Sequence, residues 1–509
     1  MTSRDILLVI DVGTTGTKTL AFRSDGCLQA SAYREYQNLQ PSPERVEVDA
    51  RVWLDAARDT CREVMGSDDI RDCRLAAISI TNQRETVVAV DENGSPLSNA
   101  LIWQDRRTAD ICTRMAHKMD PAEVFELTGL TINPYFSASK MRWLLDNLPK
   151  TGQPGGEGRE IHKLLLVADL LVHRLTGRFV TDPSNASRTL LFDLERGRWS
   201  SELLRSWDID RDLLPDIEQS GTVVGEVDRD MGREMMIPEG TPVVLGGGDQ
   251  QCAALGLGVI RPGMAKATTG TGTFLLGYSS KPVRDSQMRL LTSAHAVAGA
   301  YVMEGSIFAT GALYRWFRDH LGGPELSRAR SSGEDPYELL NGLWTESPPG
   351  CHGLTAIPHF LGAGAPRWDT GARGGLVGLT TAHGRSHILR AMLESVCFEL
   401  RRCLEVFEDT GNPVENLRLS GGLNRSDDFV QMQSDICNIP VERTSTQEAT
   451  ALGGAMAASV GVGLHPDVAT ASREMVHVSD RHVPRKGLLE AYLKAYERYL
   501  TVEDRVNSC

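Results

Sequence analysis

Two short turns of glycine and threonine, each set between apolar runs, constrain this chain more than any other feature. The first follows the strand-like ILLVI and reads Asp11-Val12-Gly13-Thr14-Thr15-Gly16-Thr17-Lys18, with the apolar TLAF after it. The second is Thr268-Thr269-Gly270-Thr271-Gly272-Thr273, between AKA and FLLGYS. An apolar run, a tight Gly/Thr turn and a second apolar run predict a hairpin. Such a turn also exposes backbone N–H groups and hydroxyls in an arc that suits phosphate oxygens. A plain hairpin accounts for either turn alone. The same unusual turn occurring twice predicts two related units, each offering a phosphate hairpin to a shared cleft. Neither turn is the G-x-G-x-x-G dinucleotide fingerprint or the G-x-x-x-x-G-K-[ST] P-loop.

Strand-like and helix-like stretches alternate along the rest of the chain, which predicts an α/β fold. LAAISI and TPVVLGGG read as strands, HILRAMLESVCFELRRCLEVF as an amphipathic helix, and ATALGGAMAASVGVG as a helix small enough to pack closely on a sheet. KLLLVADLLVHRLTG reads as one helix capped by Gly177. MRWLLDNLPK reads as a helix ended by Pro149, and Thr151 to Gly158 as the most linker-like stretch. At ~150 residues per domain, 509 residues suggest about three units. The restart of a glycine hairpin after Gly258 favours two large ones, 1–258 and 259–465, followed by a helical tail, 466–509, assigned to packing or assembly.

Composition excludes some functions. The formal net charge is −13, which argues against a nucleic-acid surface but leaves room for a phosphorylated ligand met by local donors. The ten cysteines form no C-x-x-C pair, so reduced thiols in a cytoplasm are expected, without zinc or disulfides. No apolar run approaches the ~18 residues of a membrane span.

Several polar residues are placed to face a substrate. Arg84 and Glu85 in TNQRET follow an apolar strand, at the end where α/β proteins bind ligands, although a surface ion pair is the simpler reading. Trp103 and Tyr135 suit the walls of a small polar pocket or simple core. Asp249 follows three glycines at a strand end. It can accept a hydroxyl proton during attack on a γ-phosphate, or merely cap the next helix. Ser420-Gly421-Gly422-Leu423-Asn424 can approach a flat adenine or ribose, or be a turn into a helix. Asp11 can hold Mg²⁺ directly or through water, and Lys18 can meet a phosphate as a point charge.

DVGTTGTK, ITNQRET, IWQDRR, INPYFSASK, TDPSNASRTLLFDL, GGGDQQCAALG, TTGTGTFLL, GAPRWDTGARGGLVGLT and QMQSDICNIPVER resemble the FGGY carbohydrate kinases, from about Asp11 to about Gly463. Within that family they are most similar to the members that phosphorylate glycerol. The resemblance implies two actin-like (ribonuclease H-like) domains that close on an ATP–Mg²⁺ cleft, and production of sn-glycerol 3-phosphate. It assigns Arg84, Glu85, Tyr135, Asp249 and Gln250 to the polyol, with Asp249 as general base and Trp103 and Phe274 as aromatic walls. Thr14, Thr15, Thr271, Gly311 and Gly422 match nucleotide-contacting positions, and Asp11 the acid near the metal. Gly16, Lys18, Arg315 and Ser426 lie on the nucleotide side but depart from the residues usual in the glycerol-phosphorylating members, which carry Arg, Gln and Asn in place of the last three. DRDMGREMMIP lacks the Gly-Gly-x-Arg loop used for fructose 1,6-bisphosphate. A homodimer or homotetramer is expected. The competing expectations are another polyol or ketose, such as erythritol or xylulose, and a non-catalytic actin-like ATP-binding regulator.

Overall fold

The computed structural model describes residues 5–148 and 160–507. Pro149, the linker-like stretch from Thr151 to Gly158, and Cys509 lie outside the described residues.

The first Gly/Thr turn joins the antiparallel strands Asp5–Val12 and Gly16–Arg23, and the second joins Met264–Thr269 and Thr273–Ser279. Each hairpin sits in the same place in its own sheet. The first sheet runs Leu28–Glu35, Gly16–Arg23, Asp5–Val12, Arg74–Asn82, Pro242–Gly248, Val223–Glu226. Successive pairs are antiparallel, antiparallel, parallel, parallel and antiparallel. The second runs Tyr301–Ile307, Thr273–Ser279, Met264–Thr269, Asn416–Ser420, Val441–Thr444, Val478–His482, with the same succession of pairings. One further strand, Leu291–Ala294, extends its edge. The duplication inferred from two similar turns is therefore a duplication of whole sheets.

The apolar run at the chain start is continuous because its strand is covered on both faces. Ile6, Leu8, Ile10 and Val12 pack with Trp53 of the helix Arg51–Met65. Leu7 and Val9 point the other way, onto Ala451, Leu452 and Ala455 of the helix Ala449–Gly461. That helix comes from the second half of the chain, so the halves share a core.

It also meets Asp249–Gly256, the helix that follows the equivalent strand of the first sheet. Only glycine fits where these two helices cross. A Cβ on Gly453 would lie 1.9 Å from the Cys252 carbonyl oxygen, and one on Gly256 1.9 Å from that of Ala449.

Between Asn82 and Val223 the chain leaves the first sheet and builds a separate apolar core around Phe125, Phe136, Leu166 and Trp207. Here KLLLVADLLVHRLTG is not one helix. Lys163–Leu165 is a strand paired with Val88–Val90, and the helix starts at Val167 and ends at left-handed Gly177. Apolar continuity hid the break. The tail is likewise not wholly helical. Val478–His482 is the edge strand of the second sheet, and only Leu489–Asn507 forms the final helix. Tyr492 and Tyr499 of that helix are fully buried, so the segment belongs to the second half's core.

Nine free cysteines occur among the described residues, and no group of metal-ligating side chains does. Among the described residues no helix is long and apolar enough to cross a membrane.

Gly453→Ala should cost about 3 kcal/mol, the upper end of ordinary overpacking, because the clash is with backbone. Gly384→Ala, where a Cβ meets nothing within 4 Å, serves as the control. Urea unfolding of the two variants checks this, and equal midpoints would contradict the close helix crossing.

Candidate active site

Strand Arg74–Asn82 ends inside the molecule, and the next residues carry the first charges. Arg84 and Glu85 are 3% and 2% exposed, so the surface ion pair is excluded. Glu85 adopts a left-handed φ of 62°, a strained choice for a residue with a side chain. Its carboxylate accepts from Arg188 Nε at 2.6 Å. Arg84 Nη1 donates to both oxygens of Glu304 at 3.0 Å, and Arg188 Nη1 reaches Glu304 Oε1 at 3.2 Å. Two guanidinium groups and two carboxylates thus pair in a buried cluster, with a third carboxylate, Asp249, at its edge. Its fourth member, Glu304, comes from the second sheet.

Burial alone would raise the Glu304 pKa. The guanidinium groups of Arg188 and Arg84 and the Ser293 hydroxyl reverse this and hold it at about 2. Arg188 also lies over the rings of Phe136 and Tyr135, at 5.1 and 5.8 Å. Tyr135 meets Trp103 edge-on at 5.7 Å. Trp103 Nε1 donates to Thr14 Oγ1 at 2.9 Å, which ties the aromatic wall to the first Gly/Thr turn.

Asp249 opens the helix after strand Pro242–Gly248. It does not act as the capping residue, since its Oδ1 accepts from the adjacent Gln250 N–H at 2.7 Å while Arg84 Nε stands 3.4 Å away. Burial raises its pKa, opposed by the charge of Arg84. Asp11 is held up to about 6 by burial, opposed by the 2.8 Å bond from Thr81 Oγ1 and reinforced by the charge of Asp249. Arg84 and Lys266 oppose the rise at Asp249, and Lys18 opposes it at Asp11. Lys18 Nζ itself pairs with both oxygens of Glu448 at 2.9 Å. Phe274 is half-buried on the return strand of the second hairpin, opposite Thr268.

Four of the positions that the resemblance assigned to a nucleotide converge in a second place. Gly311, Arg315, Gly422 and Ser426 line a cavity of about 470 Å³, with Thr269, Gly270, Tyr314, Tyr337 and Asn341. The second turn rests on the start of helix Gly311–Leu321, through Gly311 N to Gly270 O at 3.1 Å. Gly421 has a φ of +96°, and a Cβ there would lie 2.1 Å from Thr269 O. Only glycine lets this loop lie against the hairpin. Ser426 does cap helix Asp427–Cys437, accepting from Phe429 N at 3.4 Å. Thr14, Thr15 and Gly16 form the opposite turn, closed by Gly13 N to Gly16 O at 2.9 Å. Thr271 tips the second turn, where its carbonyl accepts from Thr310 and Ala312.

Glu304, Arg188 and Lys266 were not singled out in the sequence. Glu304 interrupts an apolar strand, AYVMEGSIF, and that lone inward acid was the one available signal.

Residues 6–256 match the N-terminal domain of the FGGY family of carbohydrate kinases, and residues 265–462 its C-terminal domain. The chain belongs to this family. It is 38% identical to a glycerol kinase of Koribacter versatilis (strain Ellin345) over 492 residues, 95% of each chain. It is 38% identical to one from Methylibium petroleiphilum, over 90% of this chain and 91% of the relative. Among solved structures it is similar to Plasmodium falciparum glycerol kinase with ADP, with a TM-score of 0.88, 28% identity and coverage of 99% and 98%. A xylulose kinase from Rhodospirillum rubrum gives a TM-score of 0.90 at 26% identity, covering 99% of both chains. The fold is the expected pair of actin-like, ribonuclease H-like units.

Glu304→Gln should cost about 3 kcal/mol by leaving two buried guanidinium groups short of one charge. The pH dependence carries the same information. A pKa of about 2, below the ordinary 4.5, gives stability that is complete above 4.5 and lost as pH falls toward 2. Urea unfolding between these pH values should show a steeper loss for wild type than for E304Q; parallel curves would remove Glu304 from the balance.

Proposed function

We propose that the chain transfers the γ-phosphoryl group of ATP to a terminal hydroxyl of glycerol, giving sn-glycerol 3-phosphate. The observation that carries this is joint. Relatives named glycerol kinase align at 38% identity over 95% of the chain, and Arg84, Glu85, Tyr135 and Asp249 lie together in a polar and aromatic cluster. Fold likeness alone does not choose a substrate, since glycerol and xylulose kinases give nearly equal TM-scores of 0.88 and 0.90. A regulator that only bound nucleotide would have no use for the buried Arg84–Glu304–Arg188–Glu85 cluster beside a carboxylate.

Arg84 and Glu85 donate to and accept from two substrate hydroxyls, while Trp103, Tyr135 and Phe274 cover the carbon chain. Asp249 takes the proton as the hydroxyl oxygen bonds to the γ-phosphorus and ADP leaves with the bridging oxygen. The cavity at Gly311, Arg315, Gly422 and Ser426 takes the nucleoside, and the Thr14–Gly16 and Gly270–Gly272 turns take the phosphates. Asp11 fits a Mg²⁺ ion. One of its oxygens accepts from Thr81, and among the described residues no protein group donates to the other. A single carboxylate with water and phosphate oxygens is how Mg²⁺ is usually held. When bound, the ion neutralises charge on the phosphates.

ADP release is measured with glycerol, erythritol and xylulose, ranked by kcat/KM. Glycerol should lead, and a five-carbon ketose in first place would overturn the assignment. Asp249→Asn should lower kcat by about 10²-fold or more at unchanged thermal stability. The wild-type rate should fall on the acid side, with its limb above the ordinary 3.8 because burial raises the base.

A further inference from the structure

Lys266 lies on strand Met264–Thr269 of the second sheet and has no exposed surface. A buried ammonium is tolerated only when its N–H groups find acceptors. Lys266 Nζ donates to Gln250 Oε1 at 2.5 Å and to Thr268 Oγ1 at 3.0 Å. Thr268 Oγ1 in turn lies 2.9 Å from Ser420 Oγ, beside the glycine loop of the nucleotide cavity. Gln250 belongs to the helix on the first sheet, so this contact spans the two halves.

An ammonium only donates, whereas a carboxamide has one end of each kind. The bond to Lys266 therefore decides which way the Gln250 amide faces. Its oxygen is committed to Lys266, and its nitrogen is turned away. Among the described residues no protein group accepts from that nitrogen. Gln250 is half-buried and directly follows Asp249. A substrate hydroxyl that reached both would meet one donor and one acceptor. A hydroxyl between them receives a hydrogen bond from Gln250 and has its own proton left for Asp249. With the amide reversed, its oxygen would compete with Asp249 for that proton.

We propose that Lys266 is a positioning residue that fixes the Gln250 carboxamide with its N–H₂ toward the substrate, so that the attacking hydroxyl must direct its proton to Asp249. This rests on the reading of the site as a polyol phosphotransferase centre. Lys266 does not touch the substrate; it acts through Gln250. Burial lowers its pKa to about 7, against the attraction of Asp249, which is the desolvation cost of placing a charge there.

The test is a mutant cycle on the full chain, with kcat and KM for glycerol and for ATP. Lys266→Met should lower kcat/KM for glycerol about tenfold, the usual worth of one oriented hydrogen bond, and leave KM for ATP within about twofold. Lys266→Arg, which still donates, should recover most of the loss. In a Gln250→Met background the Lys266→Met change should cost less than about twofold, because its route is already gone. Losses that multiply, or a K266M enzyme equal to wild type, would overturn the proposal. Gln250→Glu provides a second test should K266M not fold. It keeps the partner of Lys266 but offers only acceptors to the substrate, so kcat/KM should fall at least about tenfold; a wild-type value overturns the proposal. A wild-type enzyme that transfers phosphate to no polyol would instead overturn the reading of the site, and this inference with it.

Discussion

Arg84 and Arg188, both from the first half of the chain, donate to one carboxylate, Glu304, from the second. Charges so deep in a protein are strongly destabilising unless paired and hydrogen-bonded on every side. Here the pairing crosses between the two sheets. Neither half can keep its buried charges satisfied alone, so this cluster exists only in the assembled chain. Glu304 also frees Glu85 and Asp249 from neutralising Arg84 by themselves. Both carboxylates then retain acceptor capacity toward a ligand.

The same logic governs the rest of the cleft. Each sheet offers a Gly/Thr turn at the end of its first strand and a polar loop at the end of the parallel strand beside it. In the first sheet that loop carries Arg84 and Glu85; in the second it is the glycine loop at Gly421. Duplication supplied two equivalent edges, and side chains then divided the work. Bulky charged groups occupy one edge. The other is stripped to glycine, so that loop and hairpin lie backbone against backbone.

Features encoded locally were legible in the sequence: the two hairpins, the strand that ends just before Asp249, the long helix Arg385–Asp409 and the cap at Gly177. These rest on periodicity, turn chemistry or capping, all visible within a dozen residues. What escaped depends on partners far along the chain. Lys163–Leu165 looked helical because burial, not period, decides its apolar run. Val478–His482 is polar and became a strand only because Val441–Thr444 offered an edge. Arg188 and Glu304 stand 116 positions apart, and nothing local announces their meeting. Lys18 reads as a phosphate contact, and nothing local announces that Glu448, 430 positions on, pairs with it.

The glycine crossing of helices Asp249–Gly256 and Ala449–Gly461 has a mechanical consequence. Backbones in direct contact cannot slide past one another without climbing over side chains. Asp249 sits at the first turn of one of these helices, so its backbone position is fixed by both halves of the chain at once.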